Sequence, residues 1–354
     1  VAPTKGSSVR LKDIAERLKV SVSTVSRALG KDTSNLVAPE LRKKIHELAL
    51  QAHYVPHPAA QLMRKPNIHL ITVLLPLESG TFLSEYYGAV LSGVISASRD
   101  WGTETRVALI DRKEADIVEQ MQRVAMGAGG LLYMAMPLDA GELAKLESFG
   151  RTVVVIGGSL PPGLDLSTIR VNTVGSDNVA GAYEITKELF RLGHRRIGMI
   201  NGPATARTAC EREEGFLKAM KEHRGTIDPH VMIRGAFATD TGIQGWQQVK
   251  QCSDRPTALV CGNDEIAFGV LEALANDKVD CPGQISVVGF DDSRWAVRVT
   301  PKLTTARQPM TQMGRAATEL LVKRLQEADG TNVDHLVFPM EIVSRQSTAP
   351  PGKP

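Results

Sequence analysis

Cysteine is scarce in this chain: four residues in 354, at Cys210, Cys252, Cys261 and Cys281. They form no Cys-x-x-Cys pair and have no metal-ligand spacing. No disulfide framework and no metal site is expected, and the thiols read as reduced residues of a cytoplasmic protein. Long hydrophobic runs are missing too. The longest, HLITVLLPL and TVVVIGG, have the length of buried strands, against the ~18–20 apolar residues of a membrane span. No apolar stretch follows a basic start, so no secretory signal and no membrane partner is expected. Low-complexity tracts and short-period repeats are absent. So are G-x-S-x-G, the phosphate-binding P-loop and H-E-x-x-H, and the glycine cluster at 127–130 precedes its strand instead of following it. Neither an enzyme nor a cofactor is expected.

What is present is an uneven share of charge. Residues 1–66 hold 12 Lys and Arg against 5 Asp and Glu, a net of +7. The whole chain holds 42 against 39, a net of +3, so residues 67–354 hold 30 against 34, a net of −4. A charge run alone is more often a solvated face. A basic end on an acidic body points further, to a polyanion partner for that end.

Residues 9–30, VRLKDIAERLKVSVSTVSRALG, carry two short helices. Ile14, Ala15 and Leu18 mark one face of the first. Ser21 offers an N-cap to the second, Val25, Ala28 and Leu29 continue the apolar stripe, and Gly30 suits a C-cap. Val20 falls in the turn, where an apolar side chain plugs the angle between the helices. The outward face keeps Val22, Ser23, Ser26 and Arg27, small residues plus one fork of donors, which suits close approach to base edges. Any surface hairpin of helices shares much of this. A third helix, PELRKKIHELALQA, opens at Pro39 with Leu41, Ile45, Leu48 and Ala49 on one face and Arg42, Lys43 and Lys44 on another.

YVPHPAAQLMRKP follows at 54–66, and this order of motifs resembles the LacI/GalR family of bacterial transcription regulators. DIAERLKVSVSTVSRAL fits the family's helix-turn-helix, and the Tyr-x-Pro hinge is a second match. The resemblance implies double-stranded operator DNA read by a homodimer, with repression as the family default. Arg27 matches the recognition-helix arginine, whose fork suits O6 and N7 of a guanine. Val22 and Ser23 occupy the family's variable reading positions. Ser21, Thr24 and Ser26 are caps and phosphate ligands, with a core-facing Thr24 as the alternative. In the hinge, opened by Tyr54, Pro58 starts a helix too short to be stable alone. Family members fold it when two copies meet in the minor groove. Counting from Tyr54 and Pro56, Met63 takes the wedge position, Leu62 packs beside it or shares the role, and Ala59 and Ala60 let two hinge helices approach; packing alone is the other reading. Val37-Ala38-Pro39 departs from the family by lacking a hydroxyl N-cap, a loss of about 1 kcal/mol that Pro39 partly offsets.

From residue 67 apolar strand-like runs alternate with amphipathic helices: strands at 68–75, 104–110, 130–134 and 152–156, helices at 84–101, 115–126 and 139–149. The pattern restarts after Val171 with helices at 175–192, 209–223, 242–251 and 266–275 and strands at 196–200, 258–261 and 285–290. Two successive α/β halves suggest two lobes of parallel sheet with a cleft at the carboxyl ends of the strands. VGSDNVAGAYEITKELFRLGHRRIGMINGP, RPTALVCGNDEIAFGVLEAL, ISVVGFDDS and TPKLTTARQPMTQMGRAATELLVKRL resemble LacI/GalR landmarks in the expected order. The resemblance implies a periplasmic-binding-protein-like core whose chain crosses between lobes three times. The expected division is a helix-turn-helix headpiece at 1–53, a hinge helix and linker at 54–66, an N-terminal subdomain at 67–173 and 306–335, and a C-terminal subdomain at 174–305 and 336–354.

By the same resemblance a small sugar-like effector sits between the lobes. Arg212 matches the arginine that grips sugar hydroxyls or a ligand carboxylate, and Asn263 and Asp291 match polar residues that bond ligand hydroxyls. Phe82, Phe237 and Trp295 are aromatics placed to close over a ligand, with core packing as the other reading. Asp264 and Asp292 stay open as surface or capping carboxylates, and Arg207 is the candidate for an anionic ligand. Leu77-Glu78-Ser79-Gly80-Thr81-Phe82 replaces the family's usual Asn-Pro-Phe. QSTAPPGKP after Arg345 reads as a disordered end without a tetramerisation helix. A sugar-binding protein with no role on DNA is the alternative, since the body alone resembles one.

Overall fold

Ser21 closes the first turn of a helix: its Oγ accepts from the Thr24 amide at 3.0 Å. Helix α1 spans Leu11–Leu18, α2 Val22–Leu29 and α3 Pro39–Gln51. Between α1 and α2 the chain reverses at Lys19, whose φ of 52° is left-handed. That conformation costs a non-glycine residue about 1–2 kcal/mol. The Val20 amide helps offset it, donating to Ala15 O at 3.0 Å. The three apolar stripes then meet, burying Ile14, Ala15, Val25, Ala28, Val37, Ile45 and Ala49, with Val20 packed against them. Helix α3 starts at Ala38 with no side-chain cap and Pro39 in its first turn, as the departure there implies. The computed structural model describes residues 11–29, 36–52, 70–78, 81–114, 116–134, 136–327 and 332–352. These helices belong to one compact unit, Val1–Pro66, and all that follows belongs to a second, Asn67–Pro354.

The second unit opens with β1 (Leu70–Pro76), α4 (Glu85–Asp100), β2 (Glu104–Ile110), α5 (Ile117–Val124), β3 (Gly130–Tyr133), α6 (Ala140–Glu147), β4 (Val153–Ile156) and β5 (Asn172–Ser176). It continues with α7 (Asn178–Arg191), β6 (Ile197–Asn201), α8 (Arg207–Glu222), β7 (Met232–Arg234), α9 (Thr239–Val249), β8 (Ala258–Cys261), α10 (Asp264–Asn276), β9 (Ser286–Asp291) and β10 (Thr304–Arg307). The chain then returns through α11 (Met310–Gln326) and β11 (His335–Phe338) and ends with β12 (Glu341–Val343).

Two six-stranded sheets result, in the orders β11-β5-β4-β3-β1-β2 and β12-β10-β9-β8-β6-β7. Among the described residues these strands pair in parallel, apart from β10 with β12. Burial on both faces explains the apolar runs in the sequence. Alternate residues of β1 serve opposite cores: Leu74 joins Ile117 and Met121, while Ile71, Val73 and Leu75 join Val90, Met313 and Leu321. Helices α4 and α11 cross so closely that a Cβ on Gly93 would lie 2.0 Å from Thr311 O, and one on Gly314 2.0 Å from Val90 O. Only glycine fits at both positions.

The chain passes between the sheets after β5, after β10 and between β11 and β12. The expected lobe boundaries at 173/174, 305/306 and 335/336 fall inside β5, β10 and β11, a few residues from the crossings. Strand β5 is also a correction in itself, because its NTVGS sequence has no apolar run and 175–176 read as helix. Its polar residues are buried by hydrogen bonding instead: Asn172 Oδ1 accepts from the Asp334 amide at 3.0 Å, and Ser176 Oγ donates to Gln308 at 3.0 Å.

The C-terminal segment corrects the reading of a disordered end through residue 352. Ser347 is fully buried. Its Oγ donates to Val287 O at 2.6 Å and accepts from the Thr304 amide at 2.8 Å, while its carbonyl accepts from the Val287 amide at 2.8 Å. Ala349 O accepts from His194 Nε2 at 2.9 Å, and burial holds that imidazole below its ordinary pKa. Small polar residues and prolines suggest disorder by composition, yet here they satisfy backbone groups of β9 and β10. Replacing Ser347 by Ala leaves Val287 O and the Thr304 amide without this partner. A loss of about 1–3 kcal/mol is expected, seen as a lower urea midpoint at unchanged m-value.

Candidate DNA-reading helix and interlobe ligand site

On α2, Val25 and Ala28 are buried, Thr24 and Ser26 half-buried, and Ser21, Val22, Ser23 and Arg27 exposed. Burial of Val25 and Ala28 thus fixes which face turns to solvent. Ser21 Oγ lies 2.6 Å from Ser23 Oγ and 2.8 Å from Thr24 Oγ1 as well as capping the helix, so the hydroxyls at the helix start are held together before any partner arrives. Tyr54, Ala59, Leu62 and Met63 lie outside the described residues.

In the second unit, loops at the carboxyl ends of the strands converge on Arg212, in the second turn of α8. Its guanidinium is buried. Nε donates to Asn178 Oδ1 at 3.0 Å, and Nη1 donates to Gly262 O. Nη2 stands 3.9 Å from Asp291 Oδ1. The Phe290 ring lies 4.7 Å and the Phe237 ring 5.9 Å from its central carbon. A Cβ on Gly202 would meet the Phe237 ring at 2.3 Å, so glycine after β6 makes room for it.

Asp291 ends β9 at φ 112°, and Asp292 follows at φ 55°. Two left-handed non-glycine residues in succession are a strained turn, held by its side-chain bonds. Gln308 Nε2 donates to Asp291 Oδ1. Burial pushes the Asp291 carboxyl up to about 6, against the pull of Arg212 and the Gln308 bond, with Glu265 and Glu85 adding to the rise. Asp264 lies beneath, its Oδ1 accepting from Thr305 Oγ1 at 2.6 Å and its Oδ2 from the Ser293 amide at 2.8 Å. Burial and the Asp291 charge hold Asp264 well above the usual carboxylate range. Asp292 is tied to Arg307 at 2.7 Å and to Arg345. Neither aspartate is a free surface carboxylate.

The structure therefore brings Arg212, Asp291 and Phe237 together. Asn263 caps α10, accepting from the Ile266 amide at 2.9 Å, next to the Gly262 carbonyl that Arg212 holds. Phe82 sits in a 3-10 turn, Thr81–Leu83, and is 69% exposed. Trp295 is 44% exposed, with the guanidinium carbons of Arg294 and Arg298 each 5.4 Å from its ring centre. Sequence reasoning missed Asn178, Gln308, Glu85 and Tyr86. Tyr86, on α4 of the first lobe, sets its hydroxyl where a Cβ on Gly157 would lie 2.0 Å away; burial and then Tyr87 raise the pKa of its phenol, with Asp291 of the other lobe adding to the rise and Arg212 opposing it. No periodicity marks such residues, since each sits at the first turn of a helix or just past a strand.

The lobes also meet through two charged side chains. Glu85, at the start of α4, accepts from the Arg294 amide at 2.8 Å and pairs with its guanidinium. Arg207, at the start of α8, donates to Leu164 O at 2.7 Å and pairs with Glu211. Among the described residues no group of three His, Cys, Asp or Glu could hold a metal ion, and no helix is long and apolar enough to cross a membrane.

The profile for bacterial regulatory proteins of the lacI family matches residues 10–57, covering α1, α2 and α3. A periplasmic binding protein-like domain matches residues 186–348. The chain is 29% identical over 339 residues to the HTH-type transcriptional repressor PurR of Salmonella paratyphi B, covering 96% of each. A lacI-family region followed by a periplasmic binding protein-like domain is the two-part make-up of LacI/GalR regulators. The chain shares 25% identity and a TM-score of 0.72 with the transcriptional regulator CelR in its cellobiose complex, over 96% of this chain and 99% of that one. The Lac repressor dimer bound to operator and the anti-inducer ONPF superposes at a TM-score of 0.82 and 23% identity, over 97% and 100%. The protein is thus a DNA-binding transcriptional regulator with a small-molecule effector.

Arg212 is the main charge pulling the Asp291 pKa down. Arg212→Met is therefore expected to move the Asp291 titration, followed by carboxyl ¹³C NMR, from about 6 to a higher value. In the wild type the folded value lies above the ordinary carboxylate value of about 4, so protonation favours the folded state. The contribution of Asp291 is fully present below that pH and is lost as pH rises through about 6.

Proposed function

We propose that this regulator represses transcription as a cytoplasmic homodimer on a palindromic operator, and that a sugar or sugar derivative bound between the lobes lowers its DNA affinity. One observation carries the choice of ligand. Arg212, a donor, faces Asp291, an acceptor, across 3.9 Å in a buried setting. A ligand hydroxyl accepts from the first and donates to the second, a dual role that polyols offer at every carbon. The Phe237 ring beside the pair supplies an apolar face for a pyranose or furanose. The likeness to CelR with cellobiose and to the Enterococcus faecium LacI-family regulator with bound ribose supports this class.

For the dimer, β2 is an edge strand of the first sheet. Its Val107 and Leu109 are exposed, as is Ile95 on α4. An apolar edge of this kind invites pairing with a second copy. On DNA, exposed Arg27 reads a guanine, Val22 and Ser23 select neighbouring bases, and Met63 with Leu62 wedges the central step.

The test is selection of bound duplexes from a random pool by the full-length protein at near-physiological salt. A palindrome with a central pyrimidine–purine step is expected, and an absence of enrichment with and without a sugar panel would overturn the reading. Arg27→Ala is expected to cost about 1–3 kcal/mol and to relax choice at one base pair. An equal loss on all sequences would instead make Arg27 a phosphate contact.

A further inference from the structure

We propose that the interlobe site is built for an uncharged polyhydroxylated ligand and discriminates against the phosphate ester or carboxylic acid of the same sugar, an inference that rests on the sugar reading above. Sequence counts suggest the opposite, because arginines abound where the strands end. Their partners decide the matter. Arg207, the natural candidate for a ligand anion, pairs with Glu211 and donates to Leu164 O at 2.7 Å across the lobes. Arg294 is held by Glu85 through both its guanidinium and its amide. Arg307 and Arg345 share Asp292.

That leaves Arg212, the deeply buried one, and its charge is balanced by Asp291 at 3.9 Å. Each of these five cations thus has a carboxylate beside it, and exposed Arg298 stacks on the Trp295 ring at the rim. A hydroxyl that bridges Arg212 and Asp291 from one side adds no charge to the site. A phosphate or carboxylate bound between Arg212 and Asp291 adds an anion beside Asp291 with no buried cation left unbalanced, and a buried charge without a partner is strongly disfavoured. Asp264, beneath Asp291 and held by Thr305 and Ser293, strengthens the bias, since any negative charge it carries repels the same ligand. Glu211 also accepts from Asn178 Nδ2 at 2.9 Å, and Asn178 in turn orients Arg212. Neutralising Arg207 and positioning Arg212 therefore fall to one carboxylate.

The full-length protein is screened by thermal shift at pH 7.5 against ribose, glucose, galactose, maltose and cellobiose, together with the phosphate ester and the aldonic or uronic acid of each monosaccharide. Calorimetry follows on every binder. A neutral sugar is expected to raise the melting temperature, with its phosphate and acid binding at least about tenfold more weakly. Glu211→Gln keeps an acceptor for Asn178 while releasing the charge of Arg207, and is expected to narrow the ratio between phosphate ester and parent several-fold. An anionic derivative that matches or exceeds its neutral parent in the wild type would overturn the proposal. An unchanged ratio in Glu211→Gln would overturn the assignment of that selectivity to Arg207 pairing. If no member of the panel binds, the polyol reading of the cleft fails, and this inference falls with it.

Discussion

Burial of the Arg212 guanidinium dictates much of the second unit. A charge removed from water costs several kcal/mol unless its donors and its field are both answered. The answers come from four places in the chain: Asn178 at the start of α7, Gly262 after β8, Asp291 at the end of β9, and the rings of Phe237 and Phe290. Each lies at the carboxyl end of a parallel strand or in the helix turn that follows. The parallel sheet delivers those ends to one rim, and the arginine uses the convergence. Strain at Asp291 and Asp292 belongs to the same solution. A relaxed turn would not aim two adjacent carboxylates in different directions, one to Arg212 and the other to Arg307 and Arg345.

The crossing segments share in this network. Ser176, where the chain first leaves the first sheet, donates to Gln308, where it leaves the second. Gln308 then donates to Asp291, and Asn178, two residues past Ser176, holds Arg212. A displacement of the Asp291 turn is therefore felt at two of the three connections between lobes. Helix α11, which follows Gln308, locks against α4 through the reciprocal glycine contacts at Gly93 and Gly314, and α4 runs beside the exposed edge strand β2. Close backbone contact transmits shifts because packed interiors deform little. The Arg212–Asp291 pair and the exposed apolar edge of the first lobe are joined by rigid elements.

Sequence reasoning succeeded where burial on both faces of a strand, or along one helix stripe, leaves an apolar rhythm. Strands β2 and β8 fall at 104–110 and 258–261, as read from the sequence. The rhythm fails where a strand is short and polar. NTVGS in β5 and TTAR in β10 are buried by side-chain hydrogen bonds, and no periodicity records those. The crossing of the chain between lobes entered through family resemblance, and its points lie just past strands that propensity overlooks. For the site, Arg212, Asn263, Asp291 and Phe237 could be named from motifs, whereas Tyr86 arrives from the opposite lobe and has no marker in the local pattern.

The arginines make the physical reason plain. Arg207, Arg212, Arg294, Arg307 and Arg345 are equal as letters, and composition counts each as one positive charge. In the folded chain Arg207 braces two lobes, Arg294 answers Glu85, Arg307 and Arg345 hold a strained turn, and Arg212 alone faces its carboxylate across a 3.9 Å gap. That gap keeps the pair from closing, and under the proposed sugar reading it leaves donor and acceptor to a ligand, whereas a closed pair has already spent them on each other. Donors become available to a ligand through the geometry of their neighbours, and the neighbours here are 79 residues away along the chain in the case of Asp291 and 34 in the case of Asn178. Recognition chemistry in this fold is therefore a property of where strands end, and the charge of a residue acquires its meaning only there.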